Sequence, residues 1–193
     1  MDLREWDERY RSAARPEEDL EAPPTPLVAR IAKILPPGKA LDLACGAGRN
    51  ALWLARQGWN VSAVDGSKAA IGILRRRAVE MNLAVDADIA DLENGEYVMR
   101  PGCWDLIVIA YYLQLDLIER AKIAVKPDGV IIVIVHMAAA GEAPTKHRLL
   151  PGELIRRFDQ WEILHSFEGR PEDTAHRRLV AEVAARKPVK RSL

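Results

Sequence analysis

Leu41-Asp-Leu-Ala-Cys-Gly-Ala-Gly-Arg-Asn50 is the stretch on which the reading of this chain turns. A short apolar run, 39–44, suits a buried parallel strand. It passes straight into two glycines and then into helix-forming residues over 50–57. Gly46 and Gly48 let the backbone turn sharply and approach a ligand closely. With Ala51 as a third small position, the loop loosely fits the pattern by which nucleotides are held at a strand-to-helix turn. A purely structural turn uses glycines in the same way, so the loop alone does not decide.

Outward from this loop the chain alternates strand and helix. Residues 59–64, 84–89, 104–110 and 130–135 read as strands, and 67–82 and 115–125 as helices. Gly58 stands where a helix end favours positive φ, and Ser67 where a helix start favours a hydroxyl cap. Pro127-Asp-Gly129 reads as a turn before the fifth strand. A further helix is expected to begin over 151–158. The runs 161–167 and 179–185 have no helix between them, so they are expected to pair antiparallel. Upstream, 2–14 forms a short helix with Leu3, Trp6 and Tyr10 on one face, 15–24 an acidic, proline-rich connector, and Thr25 with Pro26 a capped helix start. The predicted fold class is α/β. It is a doubly wound, Rossmann-like three-layer sandwich with a seven-stranded, mostly parallel sheet and an antiparallel last strand, in one domain over 1–193.

In such a fold ligands bind at the carboxyl ends of the strands, and acids stand there. Asp65 ends the second strand about 20 residues beyond the loop, where a carboxylate can take both ribose hydroxyls. Asp42, inside a nearly apolar strand, needs a partner, for which an ammonium group or the loop's own amides would serve. Asp88 ends the third strand, placed to accept from an adenine amino group while Ile89 covers the ring. Any one of them could instead be a helix cap or a solvated strand end. Three on consecutive strands point to a nucleotide site.

These pieces, with Val61-Ser-Ala-Val-Asp65, Ala87-Asp-Ile89, Trp104-Asp-Leu-Ile-Val108, Lys126-Pro-Asp-Gly129 and the paired last strands, resemble the class I S-adenosylmethionine-dependent methyltransferases. Within that class, Cys-Gly-x-Gly-Arg-Asn, Trp6-Asp-Glu-Arg-Tyr10 and Ala184-Ala-Arg-Lys187 look like the tellurite-resistance and thiopurine-type small-molecule enzymes. The resemblance implies that Ala44, Gly46 and Gly48 line the methionine end of S-adenosylmethionine. Asp65 with Gly66 holds the ribose, and Asp88 with Ile89 the adenine. Asp42, Arg49, Asn50 and Ala110 join the cofactor-binding set, and Trp6 and Tyr10 form a lid over it. Arg49 as a surface residue, and Trp6 and Tyr10 as ordinary helix packing, are the alternatives.

Methyl transfer from a sulfonium asks the protein chiefly for orientation and exclusion of water, with a general base only for a protonated nucleophile of high pKa. The fourth strand ends Ile109-Ala-Tyr-Tyr112, without the Asn/Asp-Pro-Pro-Tyr/Phe signature of enzymes that methylate base amino groups. Tyr111 is a candidate pocket wall, while Tyr112 is expected in the core. His136, directly after the fifth strand, and His176-Arg177 before the last are the candidate catalytic groups, the latter pair by resemblance. The histidines lack ligand-like spacing, so no metal is expected. Cys45 is read as packing within the loop.

With 28 basic and 28 acidic residues the chain carries no net charge, which gives no sign of a nucleic-acid surface. A small-molecule substrate, no nucleic acid and no membrane partner are therefore expected, and oligomeric state is not legible. Two cysteines make no disulfide framework, and a charged N-terminus is unlike a signal peptide, so a cytoplasmic location is expected. An NAD-dependent oxidoreductase is the rival enzyme, since Gly46, Gly48, Ala51 and Asp65 also suit that cofactor. Against it, the chain has no Tyr-x-x-x-Lys pair of the kind a short-chain reductase needs. A non-catalytic S-adenosylmethionine-binding module is the other alternative.

Overall fold

Apolar runs broken by glycine and proline become six helices and seven strands among the described residues. A computed structural model describes residues 3–12, 23–138, 141–142, 145 and 147–189. Most of the expected connector and the end of the expected first helix, 13–22, lie outside them. Strands β1 (Lys39–Leu43), β2 (Asn60–Asp65), β3 (Val85–Ile89), β4 (Trp104–Ala110), β5 (Val125–His136), β6 (Glu162–Gly169) and β7 (Val180–Arg186) form one sheet in the order β3-β2-β1-β4-β5-β7-β6. The chain divides into two compact units, Met1–Val98 and Met99–Leu193.

In the first unit, β1 pairs parallel with β2 and β2 with β3, which aligns Leu43 with Val64 and Asp65 with Ile89. Helices α1 (Leu3–Arg11), α2 (Pro26–Lys33), α3 (Arg49–Arg56) and α4 (Lys68–Glu80) accompany these strands. Leu27, Val28 and Ile31 of α2, Leu52 and Leu54 of α3, and Ile71 and Leu74 of α4 are buried at helical spacing, as are Leu41, Leu43, Val61 and Val64 of the strands. Helix α1 buries no residue. Ser67 caps α4, its hydroxyl accepting from the Ala70 N–H at 3.1 Å, and Gly58 after α3 has φ 88°. Thr25 stands at the N-cap position of α2 without capping it. Its hydroxyl instead accepts from the Arg49 guanidinium at 2.9 Å.

In the second unit β4 and β5 are parallel, and β7 runs antiparallel to both β5 and β6, the reversal expected of the last strand. Helices α5 (Leu115–Ala124) and α6 (Glu153–Arg156) complete it. Val130 to Val135 are fully buried. Two expectations need correction here. Strand β5 begins at Val125, paired with Trp104, and the next pair is Leu106 with Val130. Lys126-Pro-Asp-Gly129 is therefore a bulge within the strand rather than a turn before it, with Asp128 at φ 66°. Helix α6 is one turn where a longer helix was expected from 151. Gly152 enters it in the left-handed conformation, and the chain leaves through tight turns from Arg157 N–H to Leu154 C=O and from Phe158 N–H to Ile155 C=O.

Candidate functional site

The glycine loop joins β1 to α3 and is held from β2. The Gly46 N–H donates to Asp65 Oδ2 at 2.8 Å, while the Ser67 N–H donates to Oδ1 at 2.8 Å. Asp65 thus ties the loop to the start of α4. Gly48 has φ 84° and precedes α3. A Cβ there would stand 2.5 Å from Leu74 Cδ1, so only glycine permits both the turn and the packing.

Asp42 is 1% exposed. A backbone amide engages its carboxyl, that of Ala51 in the first turn of α3 rather than one of the glycine loop's own. Among the described residues Oδ2 has no hydrogen-bond partner. Burial, reinforced by the Asp65 charge, pushes the carboxyl up to about 7, against the opposing effects of the Ala51 amide and the Arg49 guanidinium. A buried acceptor atom left without a donor is what a cationic or N–H-bearing ligand would satisfy. Beside it, Cys45 is held well above the ordinary thiol range, first by burial and then by Asp42 and Asp65. That fits a packing role rather than a nucleophile.

Arg49 and Asn50 face Thr25. Arg49 donates to its hydroxyl, and the buried Asn50 accepts from its N–H at 2.9 Å. These two residues seat the start of α2 beside the loop. Asp88 and Ile89 are both exposed at the end of β3, Ile89 at 42%.

Helix α1 lies on this loop. The Tyr10 hydroxyl rests against Gly46, in the space a Cβ would fill, and Leu3 covers Gly66 in the same way, 2.6 Å from a Cβ built there. Trp6 stands 6.4 Å from Tyr10 between ring centroids and is 37% exposed. Asp7 fastens the helix, accepting from Ser67 Oγ at 2.8 Å and the Ala69 N–H at 2.9 Å. The Ala69 amide, helped by Ser67 and Arg11, holds the Asp7 carboxyl below its ordinary range. Sequence reasoning missed Asp7, because an acid one residue after Trp6 carries no signal that it will cap a helix 60 residues away.

In the second unit, Ala110 ends β4, half-buried, and Tyr111 follows at φ 61°. Its ring stacks on His176 with centroids 3.4 Å apart and planes 8° apart, and His136 stands 5.7 Å from each. Three predicted residues are thus brought together. Arg177 is exposed beside them. Burial, with the Arg178 charge next, lowers the His136 imidazole, and its Nδ1 is buried with no partner among the described residues. Asp173 was also missed: it is buried and accepts from the Tyr111 hydroxyl at 2.9 Å. Only its position three residues before His176 could have hinted at it. Tyr112, expected in the core, is half-buried with its hydroxyl on Gln114 Oε1 at 2.9 Å. Among the described residues no cluster of His, Cys, Asp or Glu could hold a metal, and no helix is long and apolar enough to cross a membrane.

Comparison with known proteins places this architecture. The family described as tellurite resistance protein TehB matches residues 22–176, the greater part of the chain. A probable S-adenosyl-L-methionine-dependent methyltransferase TehB of Haemophilus influenzae strain 10810 is 37% identical over 150 residues, covering 71% of this chain and 50% of the relative. The crystal structure of TehB from Haemophilus influenzae superposes with a TM-score of 0.71 at 26% identity, over 83% of this chain and 61% of that one. The Burkholderia thailandensis 1,6-didemethyltoxoflavin-N1-methyltransferase, solved with bound 1,6-didemethyltoxoflavin and S-adenosylhomocysteine, shares the fold at TM-score 0.72 and 17% identity, over 97% of this chain and 87% of that one. This chain spans about half the length of the curated relatives it matches. The oxidoreductase alternative is not favoured by these relatives. Sheet order, glycine loop and family match converge, and the chain belongs to the tellurite resistance protein TehB family, on the class I fold of S-adenosylmethionine-dependent methyltransferases.

Proposed function

We propose that this protein binds S-adenosylmethionine and catalyses methyl transfer to a small-molecule acceptor, a thiol or a chalcogen oxyanion. The observation that carries the reading is the buried Oδ2 of Asp42, without a partner among the described residues, beside a glycine loop drawn to Asp65. A carboxylate in that position suits the ammonium end of the cofactor's methionine. Ala44, Gly46 and Gly48 line that end, with Arg49 and Asn50 holding the α2 start against it. Asp65 and Gly66 take the ribose, Asp88 and Ile89 the adenine, and Ala110 closes the set. Trp6 and Tyr10 cover the cofactor. Helix α1 buries none of its own residues, and its exposed Leu3 and Trp6 suit a lid better than core packing.

The cofactor supplies an already activated methyl group on a sulfonium. The chain's own residues then need to orient the acceptor and keep water out. Tyr111, His136, His176 and Arg177 are proposed for the acceptor. His136, held neutral, can take a proton from a protonated nucleophile, while a thiolate or oxyanion needs no base. We read 1–193 as one methyltransferase domain with 1–24 as lid helix and connector. We also read it as acting on neither nucleic acid nor membrane, and as cytoplasmic, in keeping with the free thiols of Cys45 and Cys103.

Labelled methyl transfer from S-adenosylmethionine to a panel of thiols, selenite and tellurite tests the reading. Turnover on at least one acceptor is expected. Tight cofactor binding with no turnover on any of them would favour the non-catalytic module instead.

A further inference from the structure

Asp173 lies in the connection between β6 and β7 and is 7% exposed. A buried carboxylate is costly unless its oxygens are engaged. Here they organise two separate elements. Oδ2 accepts from the Tyr111 hydroxyl at the end of β4, 62 residues away. Oδ1 accepts from the Ala175 N–H at 3.1 Å, and the Asp173 carbonyl accepts from the His176 N–H at 3.0 Å. The second pair of bonds folds residues 173–176 into a turn that sets the direction in which His176 leaves the backbone. The first orients the tyrosine on which the His176 ring lies.

Both rings depend on this support. Tyr111 has φ 61°, a left-handed conformation that a bulky residue rarely adopts and that persists only where its surroundings hold it. The Tyr111 N–H donates to the Ile134 carbonyl at 2.6 Å, which fixes the backbone but not the ring. The imidazole of His176 meets the Tyr111 ring face to face at 3.4 Å. Off-set or edge-on packing is the commoner choice for such rings, so a close, nearly parallel stack needs both partners held from outside. Asp173 accepts from the Tyr111 hydroxyl on one side and from the His176 backbone N–H on the other.

We propose that Asp173 is a positioning residue of the acceptor site, holding Tyr111 and His176 in one fixed stack so that the pair presents a defined face to the methyl acceptor. The proposal rests on the methyltransferase reading for what the site does, and on the geometry of the second unit for how it is held. The phenol of Tyr111 has one proton and spends it on Asp173, so its oxygen meets any further group only as an acceptor.

The test uses the full chain with D173A, D173N and Y111F, and H176Q to assign the His176 ring signals by their loss. In the unaltered protein the His176 ring protons are expected upfield in the proton spectrum, from the ring current of Tyr111. D173A is expected to move them back toward the position of an unstacked histidine. D173N keeps one of the two acceptors and should fall between. S-adenosylmethionine affinity, measured by calorimetry, stays unchanged in all three. On whichever acceptor the panel identifies, kcat/KM for the acceptor falls by about tenfold or more in D173A and less in D173N, with KM for the cofactor unmoved. An unmoved His176 signal in D173A overturns the proposal, as does acceptor turnover equal to that of the unaltered protein. If no acceptor on the panel is turned over, the methyltransferase reading fails on its own account, and the His176 signal still decides whether Asp173 holds the stack. If D173A does not fold, D173N and Y111F give the same comparison.

Discussion

Ser67 donates its hydroxyl hydrogen to Asp7 at 2.8 Å while its oxygen accepts from the Ala70 N–H at 3.1 Å. One serine therefore caps α4 and anchors α1 over the loop where Asp65 meets Gly46. Helix α1, the glycine loop and the start of α4 thus meet at one hydrogen-bonded junction.

Asp7→Asn should loosen α1 without unfolding the chain. The lost capping interaction is worth about 0.5–2 kcal/mol. Limited proteolysis is expected to cut within α1 faster, and S-adenosylmethionine to dissociate sooner. Because the folded Asp7 carboxyl lies below its ordinary value, its contribution is present above the ordinary carboxylate range and is lost as pH falls through the lowered value. Unchanged cleavage and dissociation would show that α1 is held by Leu3 and Tyr10 alone.

Asp42 should make cofactor binding release a proton. Its folded carboxyl stands near 7, so a large fraction is protonated just below neutrality. Pairing with the cofactor's ammonium requires the charged form. Affinity is then expected to rise as pH rises through about 7 and to level off above. The stability of the free protein runs the other way. The folded state binds the extra proton between the ordinary carboxylate value and about 7, so stability falls as pH rises through that window. Calorimetry at pH 6 in buffers of different ionisation enthalpy reads the proton directly, and none released would remove Asp42 from the ammonium.

Asp65→Ala is expected to weaken S-adenosylmethionine binding by about 1.5–3 kcal/mol, the loss of charge-assisted bonds. It also strands the Gly46 and Ser67 amides, so the midpoint of thermal unfolding should drop as well. Calorimetry on the folded fraction separates the two effects, and unchanged affinity would count against the ribose role.

Gly48→Ala should destabilise the fold. The left-handed backbone costs a non-glycine residue roughly 1–2 kcal/mol, and crowding against Leu74 adds about 1–3 kcal/mol. Urea unfolding measures the sum, and a loss below about 1 kcal/mol would mean that Leu74 and the turn relax around the methyl.

His136, lowered by burial and by Arg178, should give the acid limb of the acceptor pH–rate profile below the ordinary imidazole range if it takes the acceptor's proton. The rate rises as pH rises through that lowered value. His136→Asn is expected to remove the limb on a protonated acceptor and to leave a thiolate or oxyanion acceptor little changed. A limb that survives the substitution assigns it elsewhere.

The alternation of helix and strand, the glycine loop, the acids on β1, β2 and β3 and the reversed last strand were legible along the chain, because each rests on neighbours a few residues apart or on a backbone demand only glycine meets. Thr25 shows the limit at short range: it looked like a cap, yet Arg49 took its hydroxyl from 24 residues away. Asp7 and Asp173 show it at long range, since the partners of each lie about 60 residues off and no periodicity announces a single polar side chain's destination. The order and register of the strands decided those pairings, by bringing distant N–H and O–H groups to carboxylates whose burial demands a partner. Local pattern determined the scaffold and where the glycine loop stands. Tertiary structure alone decided what covers that loop and what holds Tyr111 against His176.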